Sequence, residues 1–306
     1  MSVTEIFSKI NVEYKDKFHF LEDKPEEDLD STIKALWFAA AGCPVSAEKA
    51  GTLLLPELTE IQLKSLYKLI DLRLKNIPLA HITKRQSFLG IELKTDNRAL
   101  IPRKETEILG KMALELSHII SNTNGIANVF DLCCGAGNLG ISISCLNPKC
   151  KVYISDISEE AVELAQENVQ YLNQNESVKV VQSDLFAEFE SDKFYGKIDL
   201  IVCNPPYIST AKVVKMNPEI SSNEPVLAFD GGILGIKIIQ KLIAESPRFL
   251  APQGWLVFEV GVGQGDFVIK LLKKTLIFQK IDSVSDNFGN IRVICAKKSK
   301  YANSLS

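Results

Sequence analysis

The sequence has few histidines and no cysteine pattern of the kind that binds metal or cross-links a secreted chain. Its three histidines are scattered, and its seven cysteines, an odd number, include no C-x-x-C pair. These features exclude a zinc site and a disulfide framework as explanations of the fold. We therefore predict no metal, and we expect the cysteines to be reduced thiols that are mostly buried.

The sequence also lacks an excess of charge of one sign and lacks long apolar runs. Lys and Arg total 35 against 38 Asp and Glu, a net charge of −3, which gives no general attraction to nucleic acid or to an anionic membrane. Charged residues interrupt the apolar ones from the start of the chain, and no run approaches the roughly 20 residues of a membrane helix. We expect a cytoplasmic monomer without a stable nucleic-acid or membrane partner.

Internal repeats and low-complexity segments are absent, and 306 residues with 46% apolar content suffice for one large domain and a smaller one. Apolar residues at helical spacing in 30–41, after a capping Asp30 or Ser31, and in 58–76 predict a small helical bundle. Two extended runs in 87–102, around Asp96-Asn97, predict a β-hairpin.

From about residue 106 the pattern changes to alternating strands and helices, with Ser158 as the cap of one helix. Alternation of this kind predicts an α/β fold with a parallel, doubly wound sheet. The last strand follows a polar turn, so we expect it to run antiparallel to its neighbour. The strand candidates are 126–132, 151–156, 178–184, 198–203, 254–260 and 290–296.

A glycine-containing turn, "DLCCGAGNLG", follows the first of these strands. Gly135 and Gly137 would let a ligand approach the backbone closely, and with Gly140 they formally satisfy a dinucleotide fingerprint. Asp131, however, would repel a pyrophosphate and attract a cationic amino-acid ligand such as S-adenosylmethionine. The alternative is that these glycines serve a tight turn only.

Two further acids end the next two strands. Asp156 can accept both hydroxyls of a ribose, and Asp184, followed by Leu185, can accept the amino group of an adenine. Either acid alone fits a helix cap equally well. Three acids at three successive strand ends, all at the edge where open α/β sheets bind ligands, favour a nucleoside site.

The segment "IVCNPPYIST" ends a fourth apolar strand with two prolines. The prolines hold Asn204 in an extended conformation and leave the carbonyl of Pro205 free, so an amide oxygen and a carbonyl lie side by side. With Pro206 as the second stiffening residue and the Tyr207 ring beyond it, the pattern suits a planar NH2 group. The alternative is an ordinary Asn-Pro turn.

Together these motifs resemble a class I S-adenosylmethionine-dependent methyltransferase, and within that class the release factor glutamine N5-methyltransferases of the HemK/PrmC type. The resemblance covers nearly the whole chain. Besides the tetrapeptide NPPY, the matching segments are "PLAHIT" (78–83), "SFLGIEL" (87–93), "ALIPRKETE" (99–107), "EPVLAFDGGILG" (224–235) and "FEVGVGQG" (258–265).

The resemblance implies a seven-stranded, Rossmann-like methyltransferase domain, residues 105–306, behind a helical domain, 1–85, that helps to hold the release factor. Residues 86–104 would form a β-hairpin linker. The acceptor would be the glutamine of the Gly-Gly-Gln loop, held by the tetrapeptide with Asn204, Pro205 and Tyr207 as catalytic groups and Asn204 also touching the methyl donor.

Departures from the family fall outside the acids and the tetrapeptide. The family usually carries glycine where this chain has Lys84 and Cys133, and "SSN" (221–223) precedes Glu224-Pro225. We expect Lys84 and 221–223 to border the substrate mouth. Other acceptors remain open: a small-molecule amide, guanidine or amine, or adenine in nucleic acid. A non-enzymatic scaffold is disfavoured by the intact acids, and nucleic acid by the charge balance.

Overall fold

The computed structural model describes residues 2–301. Its first part is a helical bundle that packs around buried Ile33, Leu36, Trp37, Leu66 and Ile70. Three of its helices begin with a capping box, in which a side chain and a backbone N–H exchange hydrogen bonds at the helix start. The helices are α1 (Val3–Tyr14), α2 (Leu29–Ala40), α3 (Ala47–Ala50), α4 (Glu60–Leu74) and α5 (Leu79–Thr83).

The predicted start of α2 was wrong by two residues. Asp28 caps the helix: its carboxylate accepts the N–H of Ser31, and the N–H of Asp28 donates to the Ser31 hydroxyl. Ser31 is thus the third helical residue of a capping box and not the cap itself. Both residue types suit a helix start, so the pattern alone did not distinguish them.

The hairpin is confirmed, but its predicted turn was wrong. Strands β1 (Arg85–Phe88) and β2 (Ile91–Lys94) pair antiparallel around Leu89-Gly90, with φ of 51° and 77°. A two-residue hairpin turn of type I′ requires positive φ at both positions, and leucine does not signal that conformation. The carboxylate of Asp96, expected in the turn, instead accepts hydrogen bonds from the backbone and side chain of Arg98.

The rest of the chain forms the predicted α/β fold, a seven-stranded sheet with helices on both faces. The strand order is β5-β4-β3-β6-β7-β9-β8. The strands from β5 to β7 are parallel, whereas β9 runs antiparallel to both β7 and β8, as expected for the last strand. The strands are β3 (Ala127–Leu132), β4 (Cys150–Asp156), β5 (Val178–Gln182), β6 (Ile198–Cys203), β7 (Leu250–Glu259), β8 (Phe278–Ser285) and β9 (Ile291–Lys298).

Helices connect the strands of this sheet. Ser158 caps α8 as predicted, through a hydrogen bond to Ala161 N–H. No helix within residues 2–301 combines the length and the apolar character needed to cross a membrane. The helices are α6 (Glu107–Asn124), α7 (Asn138–Leu146), α8 (Glu159–Tyr171), α9 (Thr210–Val213), α10 (Pro218–Ser221), α11 (Lys237–Phe249) and α12 (Gly265–Thr275), with 3-10 turns at Ala187–Phe189 and Val226–Ala228.

Candidate active site at the carboxyl ends of the strands

The carboxyl ends of β3 to β6 meet at one edge of the sheet, where they open onto a cavity. We call it the strand-end cavity. It brings together six of the residues singled out from the sequence, and Cys133 lies beside them. The six are Gly135, Asp156, Asp184, Leu185, Asn204 and Pro206.

The loop after β3 forms one wall of the strand-end cavity. Gly135 and Gly137 have φ of 52° and 81°, a conformation that glycine adopts without strain. A Cβ on Gly137 would lie 2.6 Å from Cδ1 of Ile141, so packing also requires glycine there. Cys133 keeps a φ of 58° in the position where the family usually has glycine, so the loop retains a left-handed backbone at that residue.

Asp131 does not line the strand-end cavity. It is fully buried behind the loop, where its Oδ2 accepts the N–H of Gly140 at 2.8 Å and its Oδ1 has no hydrogen-bond partner among the described residues. Burial raises the pKa of this carboxyl to about 7. Asp131 therefore fixes the start of α7 against β3, and any effect of its charge on a ligand acts through the loop.

Asp156 and Asp184 line the strand-end cavity in different environments. Asp156 accepts the N–H of Gly135 at 2.9 Å and of Ser158 at 3.0 Å, and burial raises its pKa. Each carboxylate oxygen has a second lone pair, so both can still accept a ligand hydroxyl. Asp184 is exposed and lies 2.7 Å from Nζ of Lys241, a contact that nothing in the sequence indicated.

A second cavity adjoins the first at the NPPY tetrapeptide. We call it the tyrosine cavity. Pro205 and Tyr207 line it, and Asn204 and Thr106 line both cavities. Among residues 2–301, no hydrogen bond reaches Asn204 Oδ1 or the carbonyl oxygen of Pro205. The two acceptors expected from the sequence are thus free: Asn204 lies at the boundary between the two cavities, and Pro205 lines the tyrosine cavity.

Tyr207 is held by a buried polar cluster. Its hydroxyl donates to Oε1 of Glu259 at 2.8 Å, and Arg292 donates to both of these oxygens at 3.3 Å. Arg292 also donates to Glu105 at 2.8 Å. Burial, followed by the charges of Glu259 and Glu105, raises the pKa of Tyr207, so the hydroxyl keeps its proton and remains a donor.

Sequence reasoning assigned no role to Thr106, Glu259 or Arg292. Thr106 and Glu259 lie within the family segments "ALIPRKETE" and "FEVGVGQG", so the resemblance to the family marked their segments without giving either residue a role. Arg292 carried no such signal. It approaches the site because β9 pairs antiparallel with β7, which places the start of β9 beside the end of β7.

Of the departures from the family, Cys133 lines the strand-end cavity, whereas Lys84 and residues 221–223 do not. Lys84 ends α5 with a φ of 59° and lines neither cavity. Residues 221–223 also line neither, although Ile220 and Pro225 beside them do. The expectation that Lys84 and 221–223 border the substrate mouth stays a prediction. Asn223 donates to the backbone carbonyl of Asn76, which ties this segment to the helical bundle.

Known proteins resemble this chain in sequence and in fold. Residues 112–223 match the family described as Methyltransferase small domain. A release factor glutamine methyltransferase of Thermodesulfovibrio yellowstonii is 36% identical over 80% of this chain and 85% of its own length. One of Clostridium acetobutylicum is 32% identical over 78% and 82%.

Among solved structures, the N-terminal domain of human METTL16 in complex with SAH superposes with a TM-score of 0.50. That likeness covers 70% of this chain and 77% of the human one at 15% identity, which establishes a shared fold alone. The seven-stranded sheet that the family resemblance implied is thus a methyltransferase fold, and the cavity at its strand ends lies where such open α/β sheets bind ligands.

Proposed function

This chain belongs to the release factor glutamine methyltransferase family, and on that premise we propose that it methylates the side-chain amide nitrogen of a glutamine in a peptide-chain release factor, with S-adenosylmethionine as the methyl donor. The observation that carries the proposal is the position of Asn204, which lines both cavities. A donor in the strand-end cavity and an amide in the tyrosine cavity would meet at this residue.

The residues of the strand-end cavity fit S-adenosylmethionine. Asp156 has lone pairs for the ribose hydroxyls, Asp184 and Leu185 suit the adenine, and the loop at Gly135 admits the amino-acid end. When bound, S-adenosylmethionine supplies an electrophilic methyl group on a sulfonium. The acids of the cavity favour a ligand with a positive charge.

The tetrapeptide orients the acceptor. An amide nitrogen is a weak nucleophile because its lone pair is delocalised into the carbonyl. If the acceptor NH2 donates one hydrogen to Asn204 Oδ1 and the other to the Pro205 carbonyl, its lone pair is left to face the strand-end cavity. As the nitrogen bonds to the methyl group it gains positive charge, and the hydrogen bonds from its N–H groups to the same two oxygens stabilise that charge. Tyr207 packs against the amide plane.

The helical unit, residues 1–85, recognises the release factor and supplies no catalytic group. Asp23, which precedes α2, lines the tyrosine cavity, so this unit reaches the entrance used by the acceptor. We divide the remaining chain into the hairpin linker, 86–104, and the methyltransferase domain, 105–306. A chain beginning near Ser87 should bind the donor and lose efficiency on the protein acceptor.

We place the reaction in the cytoplasm and assign it to a single chain. All seven cysteines are free thiols, and four of them are buried, which suits a reducing compartment. One chain contains the whole set of groups proposed for the donor and the acceptor, so we propose that a single copy carries out the reaction.

The proposal is tested with a purified release factor of the same organism and mass spectrometry of its Gly-Gly-Gln loop. We expect one added methyl group on that glutamine, and none when the glutamine is replaced by alanine. The Asn204→Ala variant should lose far more in kcat than in donor affinity. Tight donor binding without methylation of the loop would refute the release factor as acceptor and favour a small-molecule amide.

A further inference from the structure

Thr106 lies between the Asn204 amide and a buried carboxylate. Its Oγ1 is 3.3 Å from Asn204 Nδ2, and the residue is 2% exposed. Thr106 occupies the capping position of α6, yet its side chain makes no capping hydrogen bond. The hydroxyl proton is therefore available for another acceptor.

Glu259, which ends β7 and is 1% exposed, offers an acceptor of that kind. Its Oε1 accepts from Tyr207 and Arg292, whereas its Oε2 is buried without a partner among the described residues. A buried carboxylate oxygen without a donor is costly, because it has lost its water. Thr106 is near enough that its hydroxyl lowers the pKa of Glu259.

We propose that Glu259 and Thr106 are positioning residues that determine which end of the Asn204 amide faces the acceptor. The Thr106 hydroxyl donates its single proton to Glu259 Oε2, so its lone pairs can only accept, and they accept from Asn204 Nδ2. Asn204 Oδ1 must then point away, toward the cavities. The identity of the acceptor rests on the proposed function, but the orientation of Asn204 does not.

The argument follows from the inventory of donors and acceptors. The two ends of an asparagine amide have the same shape, so hydrogen bonds alone decide its orientation. A carboxylate accepts only, and a hydroxyl has one proton. If Asn204 were flipped, Oδ1 would face the Thr106 oxygen, whose only proton is donated to Glu259, so two acceptors would face each other. The NH2 of Asn204 would then face the NH2 of the methyl acceptor, so two donors would face each other as well.

The same carboxylate also holds Tyr207, so one buried group orders two side chains of the tetrapeptide. The charged groups around it are Arg292, which lowers the pKa of Glu259, and Glu105, which raises it. Burial is the largest influence and brings the pKa to about 7. When Glu259 is protonated it no longer requires a donor at both oxygens, so the Thr106 proton is released and the orientation of Asn204 is no longer fixed. We therefore expect kcat to rise as pH increases through about 7.

Kinetics of three variants test the proposal. Thr106→Val keeps the shape of the side chain and removes the hydroxyl, and we expect kcat to fall about tenfold, the effect of one hydrogen bond. Thr106→Ser restores the hydroxyl and most of the rate. Glu259→Gln should remove the rise of kcat with pH. Parent-like rates in Thr106→Val would overturn the proposal.

A second measurement does not depend on the acceptor. In the full chain labelled with 15N at asparagine, the side-chain signals of Asn204 are identified by their loss in Asn204→Ser. We expect their hydrogen exchange to be about tenfold faster in Thr106→Val than in the parent or in Thr106→Ser, and their shifts to titrate near neutral pH except in Glu259→Gln. Identical Asn204 signals in the parent and Thr106→Val would overturn the proposal. Altered signals without methylation of a release factor would support it and refute only the proposed acceptor.

Discussion

Arg73 of helix α4 lies 3.3 Å from Glu219 of helix α10, and their side chains are 1% and 4% exposed. Lys24 approaches the same carboxylate at 3.6 Å, and Glu27 lies 3.5 Å from Arg73, so two positive and two negative charges are buried together. Ile220, next to Glu219, lines the tyrosine cavity. The helical unit therefore holds one wall of that cavity.

Replacing Arg73 by methionine should destabilise the protein by about 3–5 kcal/mol, because Glu219 and Glu27 lose a buried partner. The wall at Ile220 should also loosen, which raises KM for the protein acceptor and leaves donor affinity unchanged. Denaturant unfolding, kinetics and calorimetry measure the three effects.

The control is Lys34→Met, which breaks a partly exposed pair with Asp30, four residues earlier on the same helix. An ion pair of this kind between residues i and i+4 contributes roughly 0.5 kcal/mol or less, because solvent screens it. Equal losses in Lys34→Met and Arg73→Met would show that the buried cluster has no special role in joining the helical unit to α10.

Asp156→Ala should weaken the binding of S-adenosylmethionine by well over tenfold. The change removes the acceptor proposed for two ribose hydroxyls and also the hydrogen bond that holds Gly135 N–H. The matched control is Asp199→Ala, since Asp199 also accepts a backbone N–H, from Asn128 at 2.8 Å, but at the start of β6, the opposite edge of the sheet. Calorimetry that gives the same affinity for both variants would contradict the assignment of Asp156.

Local patterns were sufficient to place Asp156, Asp184 and the tetrapeptide at one edge of the sheet, but they did not show that Asp131 is buried away from the cavity. Asp156 and Asp184 follow apolar strands, and parallel strands end at a common edge, so the alternation of strands and helices already placed them together. Pro205 and Pro206 end the fourth strand because proline has no backbone N–H to donate to a neighbouring strand. These residues were located without knowledge of the strand order.

The buried cluster around Tyr207 depends on distant parts of the chain and was not predicted. Glu259 and Arg292 meet because β9 inserts between β7 and β8, a property of the whole sheet. Strand β8 was itself missed, since its residues at this sheet edge are mostly exposed and give no apolar alternation. The hairpin turn was missed for a different reason, since Leu89 adopts a positive φ that its residue type does not indicate.

Asp131 should make stability depend on pH. Burial raises its pKa to about 7, so the folded chain binds this proton more tightly than the unfolded chain, and the stability it contributes at low pH is lost as pH rises toward 7. Asp131→Asn removes this dependence and keeps an oxygen for Gly140 N–H. Between pH 5 and pH 8 the variant should gain roughly 2–3 kcal/mol relative to the parent.

Denaturant unfolding at several pH values measures this difference. The control is Asp192→Asn, a change at an exposed acid that lines neither cavity. It should leave the pH dependence of the parent intact. A constant difference in stability between Asp131→Asn and the parent across this range would show that Asp131 is ionised in the folded chain throughout.

Alanine variants of two glycines in the segment "DGGILG" distinguish the effect of a steric clash from the effect of backbone strain. Gly235 and Gly232 have φ of 68° and 86°, so alanine at either position costs about 1 kcal/mol of backbone strain. A Cβ on Gly235 would lie 2.1 Å from the carbonyl oxygen of Tyr207, whereas a Cβ on Gly232 meets nothing closer than 3.5 Å. Gly235→Ala must therefore shift the backbone at residue 235 or at Tyr207 of the tetrapeptide, and Gly232→Ala requires no such shift.

We expect Gly235→Ala to lower kcat about a hundredfold, because a displacement on the order of 1 Å in the groups that orient an acceptor has an effect of that size. Gln264, which donates to the Tyr207 carbonyl at 2.9 Å, would lose that contact as well. Gly232→Ala carries the same backbone strain and should keep kcat within about threefold of the parent. Donor affinity should be unchanged in both variants, because neither glycine lines the strand-end cavity. Equal losses of kcat in the two variants would assign the effect to backbone strain and not to the position of Tyr207.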